Sequence, residues 1–192
     1  WHKEHYIDYP FRRQRDAYRI IVAEMFLRQT RAVQVSRIYP KFLREYPRIS
    51  DLARADPGRL RQILRPLGMR SRVSDLLRLA RKVEQEYGGR IPKDFKAIVA
   101  FPGVGKYIAN SVMVGAFGLE RPLVDSNVNR VIARVFVGTD RMPQKDAEHM
   151  FMNLARRSKS LPLNYAIIDL AHANCAHKNP RCSTCPLKCA CT

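Results

Sequence analysis

Apolar residues recur along this chain at intervals of three and four, the spacing of one face of an α-helix. Behind Asp16, a residue suited to an N-cap, Ile20, Ile21, Met25 and Phe26 give such a face with Leu27 beside it. A second face begins near Thr30 with Val33, Val35, Ile38, Phe42 and Leu43, although Pro40 interrupts the backbone bonding there. Ser50 to Leu64 predicts two short helices, the second opening near Pro57. Arg65 to Met69 forms a loop, and Leu76, Leu77, Leu79, Ala80 and Val83 predict a helix over Val73 to Tyr87 that Gly88 and Gly89 end. Asp94 caps a helix from Phe95 to Ala100. Trp1 to Arg15 shows no periodicity, and no segment alternates with period two for long enough to be a strand. The predicted fold is all-α.

The chain is organised around the stretch from Phe101 to Asp125, FPGVGKYIANSVMVGAFGLERPLVD. It predicts a tight turn through Pro102, Gly103, Val104 and Gly105, then a helix from Lys106 to Phe117 that Gly118 and Pro122 stop. Two glycines one residue apart let a turn present backbone N–H groups and allow another backbone to come close. The helix that starts there adds its own unpaired N–H groups and positive dipole end, a corner that suits a phosphate. Joining two packed helices is the other use of such a turn. Beyond it, Val128, Val131, Ile132 and Val135 resume a helical face, so Asp125 sits where an N-cap would sit. Helices over Pro143 to Arg157 and Pro162 to Asn174 lead to a cysteine-rich end.

Charge narrows the partner. Lys and Arg number 35 against 17 acidic residues in 192, a net charge of +18 spread along the whole chain. That excess favours a polyanion, most simply nucleic acid bound through its phosphates. With 46% apolar residues the chain can build a sizeable core. It contains no apolar run of about 18 residues, so no membrane span is expected, and no secretory signal is visible.

All five cysteines fall between Cys175 and Cys191. Such clustering points to a metal site in a reducing, intracellular compartment rather than to disulfides. Cys175, Cys182, Cys185 and Cys191 are spaced C-x6-C-x2-C-x5-C, with Cys189 left over. Four thiolates in so short a segment can surround one metal centre and fix a stretch too small for its own core. Zinc is the ordinary default, and the wide loops also suit an iron–sulfur cubane. Lys178, Arg181 and Lys188 make the same loops basic.

PGVGK, the Gly118, Pro122 and Asp125 segment and the four-cysteine tail, in that order, resemble the helix–hairpin–helix–Gly/Pro–Asp DNA glycosylases of the endonuclease III superfamily. The resemblance runs from about Asp16 to the end of the chain. It implies a six-helix barrel over residues 18–117 and a smaller helical domain from residues 1–17 and 118–192 holding a [4Fe–4S] cluster on the four cysteines. It also implies a monomer that works with the DNA in cytoplasm or nucleoid, binds double-stranded DNA containing a mismatch, extrudes a nucleotide and cleaves its N-glycosidic bond in a cleft between the two domains. The family's catalytic aspartate falls on Asp125, and its phosphate-binding hairpin on Gly103, Val104 and Gly105. The residues that fill the gap left by the extruded base fall on Gln29 and Leu67.

Tyr107 stands where bifunctional relatives carry a Schiff-base lysine. Lys106 is one residue away, about 100° around the helix, and matches the basic neighbour. Asp125 with Tyr107 resembles the glycosylases that remove thymine or uracil mispaired with guanine, without lyase chemistry. Glu24 in AEMFLRQT is similar to the EVMLQQT of adenine glycosylases, whose glutamate protonates the purine. Arg28 and Ser126 depart from that pattern, which has glutamine and glycine there. The chain also ends one residue past Cys191, where an adenine enzyme is expected to continue into a domain that reads oxidised guanine. Removal of thymine or uracil is the expected activity, adenine excision its alternative, and a non-catalytic helix–hairpin–helix DNA-binding module a distant third.

Overall fold

Of the helices, Ala17–Leu27 is apolar on nearly every side, and its surroundings follow from that. The computed structural model describes residues 1–68 and 71–192. Met69, the last residue of the expected loop, lies outside the described residues. In chain order the α-helices are α1 His2–His5, α2 Ala17–Leu27, α3 Ala32–Glu45, α4 Ile49–Ala53, α5 Pro57–Leu64, α6 Ser71–Tyr87, α7 Phe95–Val99, α8 Lys106–Gly115, α9 Ser126–Val137, α10 Gln144–Ala155 and α11 Ser160–Ala173. Single 3-10 turns complete the secondary structure, and no strand occurs among the described residues. The all-α expectation holds.

The chain forms two compact units, residues 8–119 and residues 1–7 with 120–192. In the first, α2 buries Tyr18, Ile20, Ile21, Val22, Ala23, Met25 and Phe26, as an all-round apolar helix must. Asp16 caps it, accepting the Arg19 N–H at 2.9 Å. The second core helix, α8, buries every residue from Ile108 to Gly115. At Gly115 an added Cβ would stand 2.7 Å from Ile20 Cδ1, so the two helices touch where one has no side chain.

Helix α3 turns Val35, Ile38, Tyr39 and Phe42 inward and leaves Val33 half exposed. Pro40 does not break it. The proline is on the exposed side, where water can serve the carbonyl it leaves unbonded. Phe26 meets Phe42 edge-on at 5.0 Å and Tyr39 at 6.5 Å. Phe11, in the 3-10 turn Pro10–Arg13, adds its edge to Tyr39, and Tyr9 stacks on Phe11 against the same core, so the segment without periodicity packs here through two aromatic rings. Tyr18 donates its hydroxyl to the Tyr46 carbonyl at 2.8 Å, and burial holds that phenol far above its ordinary range. Each fully buried large apolar side chain contributes about 1.5–3 kcal/mol.

In the second unit, α9 buries Val128, Val131, Ile132 and Ala133, α10 buries Ala147, Phe151 and Ala155, and α11 buries Ile167, Leu170 and Ala171. The short α1 joins them through His2, whose Nε2 is 3.3 Å from Asp169 Oδ2. The turn between α9 and α10 is closed by Asn129, which donates to the Met142 carbonyl and accepts the Met142 N–H, both at 3.1 Å. Among the described residues no helix is long and apolar enough to cross a membrane.

Candidate functional site

The turn before α8 is shaped by contact. Gly103 has φ +74, and a Cβ on it would lie 2.9 Å from both Asp75 Cβ and Met25 Cε. A left-handed backbone and a crowded site both select glycine. Val104 donates its N–H to the Phe101 carbonyl at 3.0 Å and is buried, so it anchors the turn and has no donor left for a ligand. Gly105 is exposed with open space beside it. It precedes a helix whose first turn no side chain caps. Lys106 is exposed and Tyr107 half-buried on that turn.

Arg28 and Gln29 lie in the connection between α2 and α3, and both are exposed. Arg28 Nη1 donates to the Gly103 carbonyl at 3.1 Å, joining two candidates 75 positions apart. Gln29 has φ +53, a left-handed conformation uncommon for glutamine. Glu24 is half-buried one turn earlier on α2. Leu67 is 5% exposed and part of the hydrophobic core, so in this structure its side chain is engaged in packing.

Asp125 caps α9. Its Oδ1 accepts the Val128 N–H at 2.8 Å, and its Oδ2 accepts the Asn127 side-chain amide at 3.2 Å. Asn127 in turn accepts from Arg130 Nη1 at 3.1 Å, and Arg130 Nε donates to the Cys175 carbonyl at 3.1 Å. The extended stretch before Asp125 is held from behind. Asn164 donates to the Leu123 carbonyl at 2.8 Å and Gln144 to the Val124 carbonyl at 3.0 Å. Asn127, Arg130, Gln144 and Asn164 were not singled out in the sequence. The available signal was a polar residue interrupting an otherwise apolar helix face, at the buried Arg130 and Asn164.

The cysteine segment is tied to α9 at both ends. Arg134 Nη1 donates to the Ala176 carbonyl at 2.8 Å and lies 3.5 Å from Cys175 Sγ, while Thr192 Oγ1 donates to the Val135 carbonyl at 2.8 Å. Partial burial, and then the thiols of Cys175, Cys185 and Cys182, hold the Cys191 thiol above its usual range. Those are the three other expected ligands, and Cys189 is not among them. Among the described residues no three His, Cys, Asp or Glu side chains are grouped closely enough for one metal ion.

A helical chain with a glycine turn feeding an uncapped helix, followed by an aspartate capping the next one, defines a class. Residues 22–157 match the HhH-GPD superfamily base excision DNA repair proteins, and the chain belongs to that family. Among its relatives, thymine-DNA glycosylase of Aeropyrum pernix is 37% identical over 191 residues, covering 96% of this chain and 86% of the relative. The solved structure of a thermostable thymine-DNA glycosylase matches with a TM-score of 0.89 at 34% identity, covering 97% of this chain and 88% of the other. Adenine DNA glycosylase of Homo sapiens is 31% identical over 204 residues, and the match spans 37% of that longer protein.

Proposed function

We propose that this protein is a base-excision DNA glycosylase that hydrolyses the N-glycosidic bond of thymine or uracil mispaired with guanine. One observation carries the chemistry: Asp125 is fixed by two hydrogen bonds, one to each carboxylate oxygen. As the C1′–N1 bond breaks and its electron pair leaves with the base, the sugar gains oxocarbenium character that a fixed carboxylate stabilises. Water then bonds to C1′ through its oxygen, Asp125 orients it and takes its proton, and the departing base is finally protonated. Tyr107 stacks on or hydrogen-bonds to the extruded base. Gln29 fills the gap in the duplex, and the Gly105–Lys106 corner receives a phosphate.

Thymine-directed relatives, 34–38% identical and matched over 81–86% of their own length, support this substrate over adenine, and so does Arg28 in place of a glutamine. Glu24 is the group that would protonate a purine in the adenine alternative. Cys175, Cys182, Cys185 and Cys191 would hold a [4Fe–4S] cluster, whose service is to tie this loop-rich end together. The protein acts as a monomer on double-stranded DNA inside the cell.

The reaction is monofunctional. A lyase needs an amine that attacks C1′ to give an iminium, from which β-elimination breaks the strand, and a phenol at position 107 cannot do so. Incubation with a T·G duplex is therefore expected to leave an intact strand that alkali then cleaves, and borohydride should trap almost no enzyme. Tyr107→Lys should gain trapping. Efficient trapping of the wild type, abolished by Lys106→Ala, would overturn the assignment.

A further inference from the structure

Arg72, in the first turn of α6, is 1% exposed and is the bulkiest side chain so completely buried among the described residues. Burying a guanidinium is costly unless its donors are matched, and this one is only partly matched. Its Nη2 donates to the Arg28 carbonyl and, at 2.8 Å, to Thr30 Oγ1. Its Nε and Nη1 meet no partner among the described residues. The bonds it does make bracket a single residue, Gln29, on both sides. Gln29 is the one whose backbone is left-handed, at φ +53, a conformation that disfavours side chains with a Cβ. From the same connection the Arg28 side chain reaches the Gly103 carbonyl. The turn is thus pinned through its main chain by α6 and through a side chain to the glycine turn.

We propose that Arg72 is a positioning residue: it holds the Arg28 carbonyl and the Thr30 hydroxyl on either side of Gln29, so that the glutamine is already displayed on the surface before DNA arrives. The inference rests on the proposed role of Gln29 in filling the gap. Pre-organisation of this kind removes the ordering cost that a loose turn would meet on binding. A buried, incompletely paired cation is explained by that service, since as a purely stabilising device an apolar side chain of similar volume would do as well or better.

The test is a double-mutant cycle on T·G duplex, read by single-turnover excision and by 2-aminopurine fluorescence next to the mismatch, which rises when the base unstacks. Arg72→Met keeps length and bulk but removes the donors. It should slow excision about tenfold at saturating enzyme, blunt the fluorescence rise, and change affinity for undamaged duplex less than twofold. In a Gln29→Ala background the same substitution should have no further effect on either signal, because placement no longer matters once the side chain is gone. Arg72→Lys, with a charged donor but no fork, should recover part of the loss. If Arg72→Met fails to melt cooperatively, the Lys variant carries the cycle. Equal loss in both backgrounds would make Arg72 an ordinary structural residue and overturn the inference alone. A Gln29→Ala enzyme with wild-type excision and fluorescence would remove the role of Gln29 and the inference with it. Absence of any abasic product from the wild type would instead refute the glycosylase assignment.

Discussion

Asp125→Asn is expected to slow thymine excision from a T·G duplex by about 10²–10⁴-fold, the range for losing a catalytic base or a fixed transition-state charge. The substitution is chosen because it separates two roles of one residue. Asparagine is as good an N-cap as aspartate, and its carbonyl oxygen can still accept the Val128 N–H that Oδ1 accepts at 2.8 Å. The helix should therefore keep its start, and the melting temperature and mismatch affinity should change little. Only the negative charge proposed to stabilise the reacting sugar is removed. A parallel loss of binding, or a fall in melting temperature large enough to account for the lost activity, would mean that Asp125 does no more than cap α9.

The second large effect is expected at the cysteines. Cys182→Ser should strip the metal and leave the end of the chain unfolded, because thiolate-held metals supply much of the folding free energy of such segments, about 10–16 kcal/mol in zinc peptides. The wild-type protein should be yellow-brown with about four irons per chain, the variant colourless. Cys189→Ser should leave colour and iron unchanged. The expectation rests on the C-x6-C-x2-C-x5-C spacing of the other four cysteines, and Arg134 and Thr192 anchor both ends of the loop on α9. Colourless wild-type protein with one zinc would contradict it, as would loss of iron in the Cys189 variant alone.

Much of the fold was legible because its helices carry their own punctuation. Asp16, Asp56, Asp94 and Asp125 each accept the N–H three residues on, and glycines with positive φ follow α6, α8 and α9 at Gly88, Gly118 and Gly138. Such signals are local, so they survive in a sequence read by itself. What the sequence left unread was packing and bonding. Leu67 looks like any loop leucine until its burial is known, and nothing in the sequence shows that the Val104 N–H is taken up by the Phe101 carbonyl. Pro40 was an ambiguous break because its cost depends on which side of α3 faces water. Arg72, Asn164 and Gln144 act on main-chain groups of distant segments. Nothing in their own neighbourhood marks them, beyond the polar residue in an inward-facing position at Arg72 and Asn164.

Which base leaves, and from opposite which partner, is tested most directly by one measurement. Duplexes carrying T·G, U·G, A·G, A opposite 8-oxoguanine and thymine glycol are each incubated with excess enzyme, and abasic sites are counted after alkali. Abasic sites are predicted from T·G and U·G, formed faster by orders of magnitude than from the other three duplexes, and lost in Asp125→Asn. Preferential release of adenine, abolished by Glu24→Gln, would contradict the assignment and move this protein to the purine-directed branch of its family.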